Sequence, residues 1–380
     1  MLKLNRDLRF VFASNLVGAF GDGLFAVILP VYMRNSLKAD PIQIGILYAL
    51  NVLAAAATLL ISGSIADRYD RKMVMIAGWV AWLPAPLIFA FARNWVDMIP
   101  GMLLYGFWLG QPASSAYVVT SADSGRLTYT FTIMSAGWSI GYILSPAIGG
   151  FLAGTVGMRI VFFLAFAFYG LASIMLSFIK SQRANHVKAS SNEDYSFSKL
   201  LRNRKLLLLS AFFSMLMFVI MMFRNFVPTY VSGVYGLTEA QIGFLGSVLY
   251  ASCAVLGLAL GRLGDLKKKS YSVAASLTFG AVAVALMLWS GNFAILVISF
   301  IFYGGSYLTW SMLSAVVGPL APEPCRAKWI SVPQTICMFA SSFAPYIGGF
   351  LYSASAQYPF IVALIALPVL AILSIKMLND

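Results

Sequence analysis

Long apolar stretches run through this chain almost without a break, and they limit its fold more than any other feature. Of the 380 residues, 60% are hydrophobic and only 10% are charged, a composition that excludes a water-soluble domain of this length. A helix needs about 20 mostly apolar residues to cross a lipid bilayer. The stretches are long and do not alternate between apolar and polar residues, so they favour membrane-spanning helices over a β-barrel.

Twelve such stretches are predicted as membrane spans, numbered 1 to 12. They cover residues 9–33, 41–66, 71–92, 96–120, 127–154, 158–180, 205–232, 240–263, 268–290, 292–318, 326–354 and 357–377. The sequence thus predicts an all-α membrane protein of twelve transmembrane helices in two six-helix halves. The N-terminal half is residues 1–180, the C-terminal half is residues 205–380, and the polar stretch 181–204 is a central loop between them.

The two halves repeat one another in sequence. Five residues of the first half recur 198 positions later: Pro30, Tyr32, Gln43, Ile44 and Gly45 return as Pro228, Tyr230, Gln241, Ile242 and Gly243. A second motif, Pro146-Ala-Ile-Gly149-Gly150, returns 199 positions later as Pro345-Tyr-Ile-Gly348-Gly349. Duplicated membrane halves are typical of transporters that bind their substrate where the two repeats meet.

Positive charge is distributed unevenly between the loops. Of the 26 Lys and Arg residues, 21 fall in segments that would share one side of the membrane, whereas only Arg34, Lys38, Arg93 and Arg159 would face the other side. The positive-inside rule then places both termini and the central loop in the cytoplasm. The net charge of +13 is therefore interpreted as a topology signal, and no nucleic-acid partner is expected.

The loop between spans 2 and 3 carries the most specific motif. It reads Gly63-Ser-Ile-Ala-Asp67-Arg68-Tyr-Asp70-Arg71-Lys72. This resembles the signature loop of the major facilitator superfamily, Gly-x-x-x-Asp-Arg-x-x-Arg-Arg/Lys. The copy in the second half, around Asp265, is degenerate because Leu266 stands where the first half has Arg68. With the twelve spans and the repeat, the resemblance extends over the whole chain.

The resemblance implies a monomeric carrier that works by alternating access. Gly63 would let two helices approach closely. Asp67 would sit at the positive N-terminal end of span 11, and Asp265 at that of span 5. Making and breaking these contacts would open and close the cytoplasmic side.

Span 5 contains a second family-like pattern, from Gly137 to Gly150. It resembles the antiporter motif of drug exporters in this superfamily, with Ser145 in place of a glycine. A similar pattern in span 11 means that a general device for close helix crossing explains it equally well. The candidate crossing residues are Gly141, Pro146, Gly149, Gly150, Pro345, Gly348 and Gly349. An arginine that proton-coupled exporters often carry in span 4 is absent, which puts the standard proton relay in doubt.

Two ionisable residues lie deep inside predicted spans, Asp22 in span 1 and Arg224 in span 7. A charge at the bilayer centre costs at least about 2.5–3.5 kcal/mol, so each should face a cavity or a partner. One hypothesis is that Asp22 and Arg224 attract one another until protonation or substrate binding releases them. The alternatives are a purely structural pair, or Asp22 bonded to nearby polar groups.

Polar and aromatic side chains in the spans are candidates for the lining of a substrate cavity. They are Asn51, Gln111, Trp138, Tyr142, Asn225, Tyr303, Tyr307, Trp310 and Gln334. Tyr303, Tyr307 and Trp310 are spaced to share one face of a helix in span 10. Aromatic rings with a polar edge suit an amphipathic substrate, although aromatics in spans also serve in packing.

The favoured function is proton-coupled export of a small amphipathic or hydrophobic compound across a cell membrane, with a prokaryotic inner membrane as the expected location. The alternatives are a facilitator, or an organic-anion or lipid carrier of the same fold, and more remotely a receptor or scaffold that does not transport. No enzyme signature and no metal or cofactor motif is found, so the expected partners are a small molecule, protons and the lipid bilayer.

Overall fold

A computed structural model describes residues 4–122, 127–183, 203–307, 309–317 and 326–378 of the chain. Throughout these ranges the regular structure is helical and contains no strand. Ten helices of the described residues are long and apolar enough to cross a membrane. The predicted all-α membrane class is thereby confirmed.

Within the described residues, spans 1 to 6 consist of nine helices. They are Arg6–Ala26 and Leu29–Asn35 in span 1, Pro41–Arg68 in span 2, Arg71–Trp82 and Pro84–Phe91 in span 3, Ile99–Tyr105 and Gly110–Ser121 in span 4, Leu127–Thr155 in span 5, and Met158–Ser177 in span 6. A short 3-10 helix, Val96–Met98, leads into span 4.

The described part of spans 7 to 12 contains nine further helices. They are Arg204–Arg224 and Val227–Tyr235 in span 7, Glu239–Leu266 in span 8, Lys269–Leu288 in span 9, Phe293–Ser306 and Thr309–Val317 in span 10, Arg326–Ser341 and Ala344–Ala354 in span 11, and Tyr358–Met377 in span 12.

Span 4 is interrupted at its centre, where an unbroken helix was expected. Pro112 lies in the first turn of the second helix and has no N–H to donate to the preceding turn, so a continuous helix would lose a hydrogen bond there. Side chains of neighbouring spans form hydrogen bonds with the backbone N–H and carbonyl groups that the break leaves without helical partners. The Trp108 N–H donates to Thr58 Oγ1 at 3.1 Å. The Phe107 carbonyl accepts a bond from Trp82 Nε1 at 2.6 Å.

Span 10 is interrupted at the corresponding place. Its first helix ends at Ser306, with Tyr307 as the C-terminal cap, and the next helix begins at Thr309. The expectation that Tyr303, Tyr307 and Trp310 share one face of a single helix is therefore wrong, because the helix does not continue across them. Tyr303 and Tyr307 still meet, with ring centroids 5.3 Å apart. The side chain of Trp310 lies outside the described part of the chain.

Contacts divide the chain into two compact units that do not follow the order of the sequence. The first contains Met1–Ala39, Leu50–Val187 and Val231–Ser247, and the second contains the remainder. The start of span 2 thus packs with the second unit, and the start of span 8 packs with the first. The division of the chain at residues 180 and 205 stays a prediction.

The repeated glycine motifs explain these exchanged segments. In the first unit, a Cβ on Gly243 of span 8 would overlap the carbonyl oxygen of Pro146 in span 5. In the second unit, a Cβ on Gly45 of span 2 would overlap the carbonyl oxygen of Pro345 in span 11. The Gln-Ile-Gly segment of span 8 therefore packs on the proline motif of span 5, and the Gln-Ile-Gly segment of span 2 packs on the proline motif of span 11. Close backbone packing of this kind depends on glycine.

A cluster of four aromatic rings is also present twice. Phe25 lies 5.5 Å from Tyr105 and 5.7 Å from Phe162 in the first unit. The corresponding rings of the second unit, 198 positions later, are Phe223, Tyr303 and Phe360, and they lie 5.9 Å apart in both pairs. The fourth ring repeats as well, with Tyr32 against Phe162 and Tyr230 against Phe360. The two units thus share an internal scaffold.

Candidate functional site

Asp22 lies in the last turn-and-a-half of the helix Arg6–Ala26 and is almost fully buried, with 3% of its surface exposed. Tyr169 of span 6 donates a hydrogen bond to Oδ1 at 2.6 Å. Tyr142 of span 5 donates to Oδ2, and Tyr105 of span 4 is a third hydroxyl neighbour. The carboxyl group is therefore held by phenol hydroxyls from three spans. No basic side chain of the described residues pairs with it.

A ladder of aromatic rings leads away from Asp22. Tyr142 stacks on Trp138 with ring centroids 6.3 Å apart and planes 21° apart. Trp138 stacks in turn on Trp79 at 5.9 Å and 15°. A Cβ on Gly18 would overlap the Trp79 ring, so this glycine makes room for the ladder. The result is a row of near-parallel aromatic rings that ends at an acidic group, an arrangement suited to an amphipathic molecule.

Ser145 of span 5 lies against Gly23, the residue that follows Asp22. Its side chain is fully buried, and its hydroxyl has no hydrogen-bond partner among the described residues. A Cβ on Gly23 would overlap this hydroxyl. The serine that departs from the antiporter motif is thus accommodated by the glycine that follows Asp22.

Arg224 is the last residue of the helix Arg204–Arg224 and is only partly buried, although it lies in mid-span. Its Cζ lies 3.9 Å from the centroid of the Tyr307 ring, and its Nε donates to the Tyr307 hydroxyl at 2.9 Å. Tyr250 and Tyr303 both pack against Tyr307, at 5.8 and 5.3 Å. Arg224 and Asp22 each have tyrosine partners within their own unit. Their predicted attraction for one another stays a prediction.

The other residues predicted to line a cavity have diverse surroundings. Asn51 donates to the Met102 carbonyl at 3.1 Å and ties span 2 to span 4. Gln334 donates to Ser314 Oγ at 3.0 Å. The side chain of Gln111 is exposed, and Asn225 is the C-terminal cap of the helix that ends at Arg224. The structure thus gathers some predicted residues around Asp22 and others around Arg224, and among the described residues none of these four side chains hydrogen-bonds to either charge.

The signature loop is anchored to the beginning of the central loop. Arg71 Nη1 donates to Gln182 Oε1 at 2.9 Å and to Thr120 Oγ1 at 2.7 Å. Asp70 accepts hydrogen bonds from the backbone N–H of Gln182 at 3.2 Å and from the Ser181 hydroxyl. Lys72 Nζ donates to the Ser177 carbonyl at 2.6 Å. These bonds fix the loop between spans 2 and 3 on the end of span 6.

Other predicted contacts of the signature loop fall outside what the structure describes. The side chain of Asp67 is outside the described part, as are residues 318–325 before span 11 and 123–126 before span 5. Arg68 and Asp265 are exposed. A Cβ on Gly63 meets no described atom within 4 Å. The contacts predicted for Gly63, Asp67 and Asp265 therefore stay predictions.

Sequence reasoning missed three residues that matter at these places: Tyr169, Tyr105 and Asp70. Tyr105 had a usable signal, because it occupies the same repeat position as Tyr303, which was singled out. Tyr169 had none, since a tyrosine in an apolar span is more often a packing residue.

Comparison with known proteins decides the family. The family model of the Major Facilitator Superfamily matches residues 11–266 and 215–380. The chain belongs to this superfamily. Multidrug resistance protein 2 of Bacillus subtilis is 24% identical over 375 residues, which are 94% of this chain and 92% of that protein. Quinolone resistance protein NorA of Staphylococcus aureus is 27% identical over 174 residues, which are 45% of this chain and 44% of NorA.

Solved structures agree on the fold. A crystal structure of the nucleoside transporter NupG superposes with a TM-score of 0.78 at 15% sequence identity, covering 99% of this chain and 100% of NupG. The protein is therefore a multi-span membrane transporter of the superfamily, with relatives named for drug resistance.

Proposed function

We propose that the protein exports small amphipathic compounds in exchange for protons, and that Asp22 is the group that binds the proton. The observation that carries this proposal is the burial of Asp22 among tyrosine hydroxyls, with no basic partner among the described residues. A carboxyl group in such surroundings can take up or release a proton without an ion pair having to break. Ionisable groups inside spans mark proton and substrate pathways in membrane proteins.

The aromatic ladder supports an amphipathic substrate. Trp138 and Tyr142 are both partly exposed, so the row of rings that leads to Asp22 is not fully covered by the protein. Relatives named multidrug and quinolone resistance proteins support export. If substrate binding is coupled to the protonation of one carboxyl group, the proton gradient can drive alternating access. The substrate and the proton then favour different conformational states of the carrier.

A facilitator is the second candidate, and one observation favours it. Span 4 has glycines at positions 106 and 110 but lacks the arginine that proton-coupled exporters often carry there. A carrier without any working proton relay would move its substrate only down the substrate's own gradient. Asp22 would then serve only to hold spans 4, 5 and 6 on span 1.

The test is substrate uptake into proteoliposomes with an imposed pH gradient, using ethidium, rhodamine 6G and a fluoroquinolone as probes. Wild-type protein is expected to accumulate at least one probe against its gradient. Asp22→Asn is expected to keep downhill flux but to lose this accumulation. Asp97→Asn is the matched control, since Asp97 is exposed and lies in the short 3-10 helix that leads into span 4. Equal uptake with and without the pH gradient, in wild type and Asp22→Asn alike, would support the facilitator instead.

A further inference from the structure

The two units carry opposite charges on the same aromatic scaffold. Phe25 and Tyr105 of the first unit correspond to Phe223 and Tyr303 of the second, 198 positions later. The acid of the first unit is Asp22, and the base of the second unit is Arg224. Asp22 has hydroxyl donors for both carboxyl oxygens. The guanidinium of Arg224 has fewer hydrogen-bond partners among the described residues, which leaves donors for a ligand.

The guanidinium of Arg224 uses only part of its hydrogen-bonding capacity. Nε donates to the Tyr307 hydroxyl, whereas neither Nη atom has an acceptor in the described part of the chain. The side chain is only partly buried. The hydroxyl of Tyr303 is buried next to it and makes no hydrogen bond of normal geometry with the described residues. The two Nη groups of Arg224 therefore have donor capacity that no described residue uses.

The charge of Arg224 is only partly compensated. The C-terminal end of the helix Arg204–Arg224 and the face of the Tyr307 ring both favour a cation, but neither supplies a full negative charge. No carboxylate of the described residues pairs with it. A charge at this depth is expensive, so a guanidinium without a carboxylate partner among the described residues implies that an anion binds there during the working cycle.

We propose that Arg224 binds the anionic group of an aromatic carboxylate or sulfonate, and that the transported amphipathic compound belongs to this class. Arginine presents two parallel N–H donors that match the two oxygens of such a group. Tyr250, Tyr303 and Tyr307 meet edge to face around it and supply ring surface for the aromatic part. The inference rests on the proposed function and names its substrate class.

The test is equilibrium binding of tritiated 2-naphthoate to the purified full-length protein in a neutral detergent at fixed pH. The neutral analogue 2-naphthamide has the same ring, and hexanoate has the same charge without a ring. We expect the wild type to bind naphthoate at least tenfold more tightly than either. Equal binding of naphthoate and naphthamide would overturn the anion site, and equal binding of naphthoate and hexanoate would overturn the aromatic part.

Variants locate the site. Arg224→Met is expected to weaken naphthoate binding by about 10- to 100-fold, as for the loss of a charged hydrogen-bond pair, while naphthamide binding stays the same. Arg224→Lys keeps the charge and is expected to lose less. Arg262→Met, which removes an exposed arginine of the same unit, is the control. A preference for naphthoate that survives in Arg224→Met would show that the anion binds elsewhere and that Arg224 only caps its helix.

Failure of this inference can be told from failure of the proposed function. Binding at fixed pH measures the preference for naphthoate directly, whereas an imposed pH gradient acts only on uptake, so the two results are read separately. Gradient-driven uptake of cationic ethidium without any preference for naphthoate would refute the anion site and leave proton-coupled export standing. A preference for naphthoate together with uptake that does not respond to the pH gradient would support the anion site and refute proton-coupled export.

Discussion

At the scale of single residues, Asp22 is defined by three tyrosines that converge from spans 4, 5 and 6. Tyr169 is fully buried and also packs its ring against Trp79 and Trp82, at 5.5 and 5.9 Å. A hydroxyl in this position orients the carboxyl group and holds span 6 on span 1. Removing the hydroxyl leaves the ring contacts intact, so its contribution can be measured separately.

Tyr169→Phe is therefore expected to destabilise the protein by about 1–3 kcal/mol, the usual cost of leaving one buried partner unsatisfied. The midpoint of thermal unfolding in detergent should fall by a few degrees. Tyr358→Phe, at a tyrosine that is 48% exposed, is the control and should have no measurable effect. If the loss in Tyr169→Phe remains the same in an Asp22→Asn background, the hydroxyl does not act through Asp22.

The sequence points to both buried charges and to few of their partners. Asp22 and Arg224 stand out because charges inside apolar spans are rare. Tyr142, Tyr303 and Tyr307 were singled out as polar-edged aromatics, and all three contact one of the charges or a partner of it. Which hydroxyl points at which charge depends on helix rotation, and hydrophobic periodicity is too weak in spans that are apolar on all sides.

At the scale of elements, the repeated motifs make two equivalent helix contacts, span 5 with span 8 and span 2 with span 11. Gly150 packs on the backbone of Glu239 and Gly243, as Gly349 packs on the backbone of Pro41 and Ile42. The Ala147 N–H donates to Ser247 Oγ at 3.0 Å and adds a hydrogen bond to the first contact. These contacts are candidates for the parts that separate when a transporter changes state.

Gly243→Ala is expected to disrupt the contact of span 8 with span 5, because the added methyl group would overlap backbone that cannot rotate away. Overpacking of this kind costs about 1–3 kcal/mol. Gly261→Ala in the same helix meets no described atom within 4 Å and should be neutral or slightly stabilising. Thermal unfolding of the two variants beside wild type measures the difference. Equal midpoints would mean that the contact contributes little to stability.

Sequence reasoning predicted the helical membrane class and the order of the helices better than the continuity of each span. Proline and glycine in span 4 and the paired glycines in span 10 are visible in the sequence. Similar residues occur in span 5, where Pro146 lies inside the unbroken helix Leu127–Thr155. Whether a helix breaks depends on neighbours that satisfy the exposed groups, such as Thr58 and Trp82 at span 4, and these are known only from the structure.

At the scale of the whole molecule, the sequence shows that the two halves are repeats. It shows only part of the structure that the repeats share. The glycine and proline motifs were recognised, whereas the aromatic cluster of Phe25, Tyr105 and Phe162 was not, although each ring recurs 198 positions later. Aromatic residues are common in spans, so an isolated match carries little weight. Only their mutual distances show that the three matches form one repeated unit.

Topology is a prediction for the molecule as a whole, with both termini in the cytoplasm. In a variant whose cysteines at 253, 325 and 337 are replaced, Arg93→Cys should react with an impermeant maleimide in intact cells. Lys268→Cys should react only after permeabilisation. Both positions are exposed at the ends of helices. The opposite labelling pattern would contradict the orientation inferred from the positive charges.

Proton coupling through Asp22 is the central claim, and substrate-driven proton movement tests it most directly. Proteoliposomes that contain a pH-sensitive dye are given substrate on one side, with no pH gradient imposed. The wild type is expected to move protons against the direction of substrate flow, while Asp22→Asn moves substrate without protons. Substrate flux that leaves the internal pH unchanged in the wild type would contradict the claim and make the protein a facilitator.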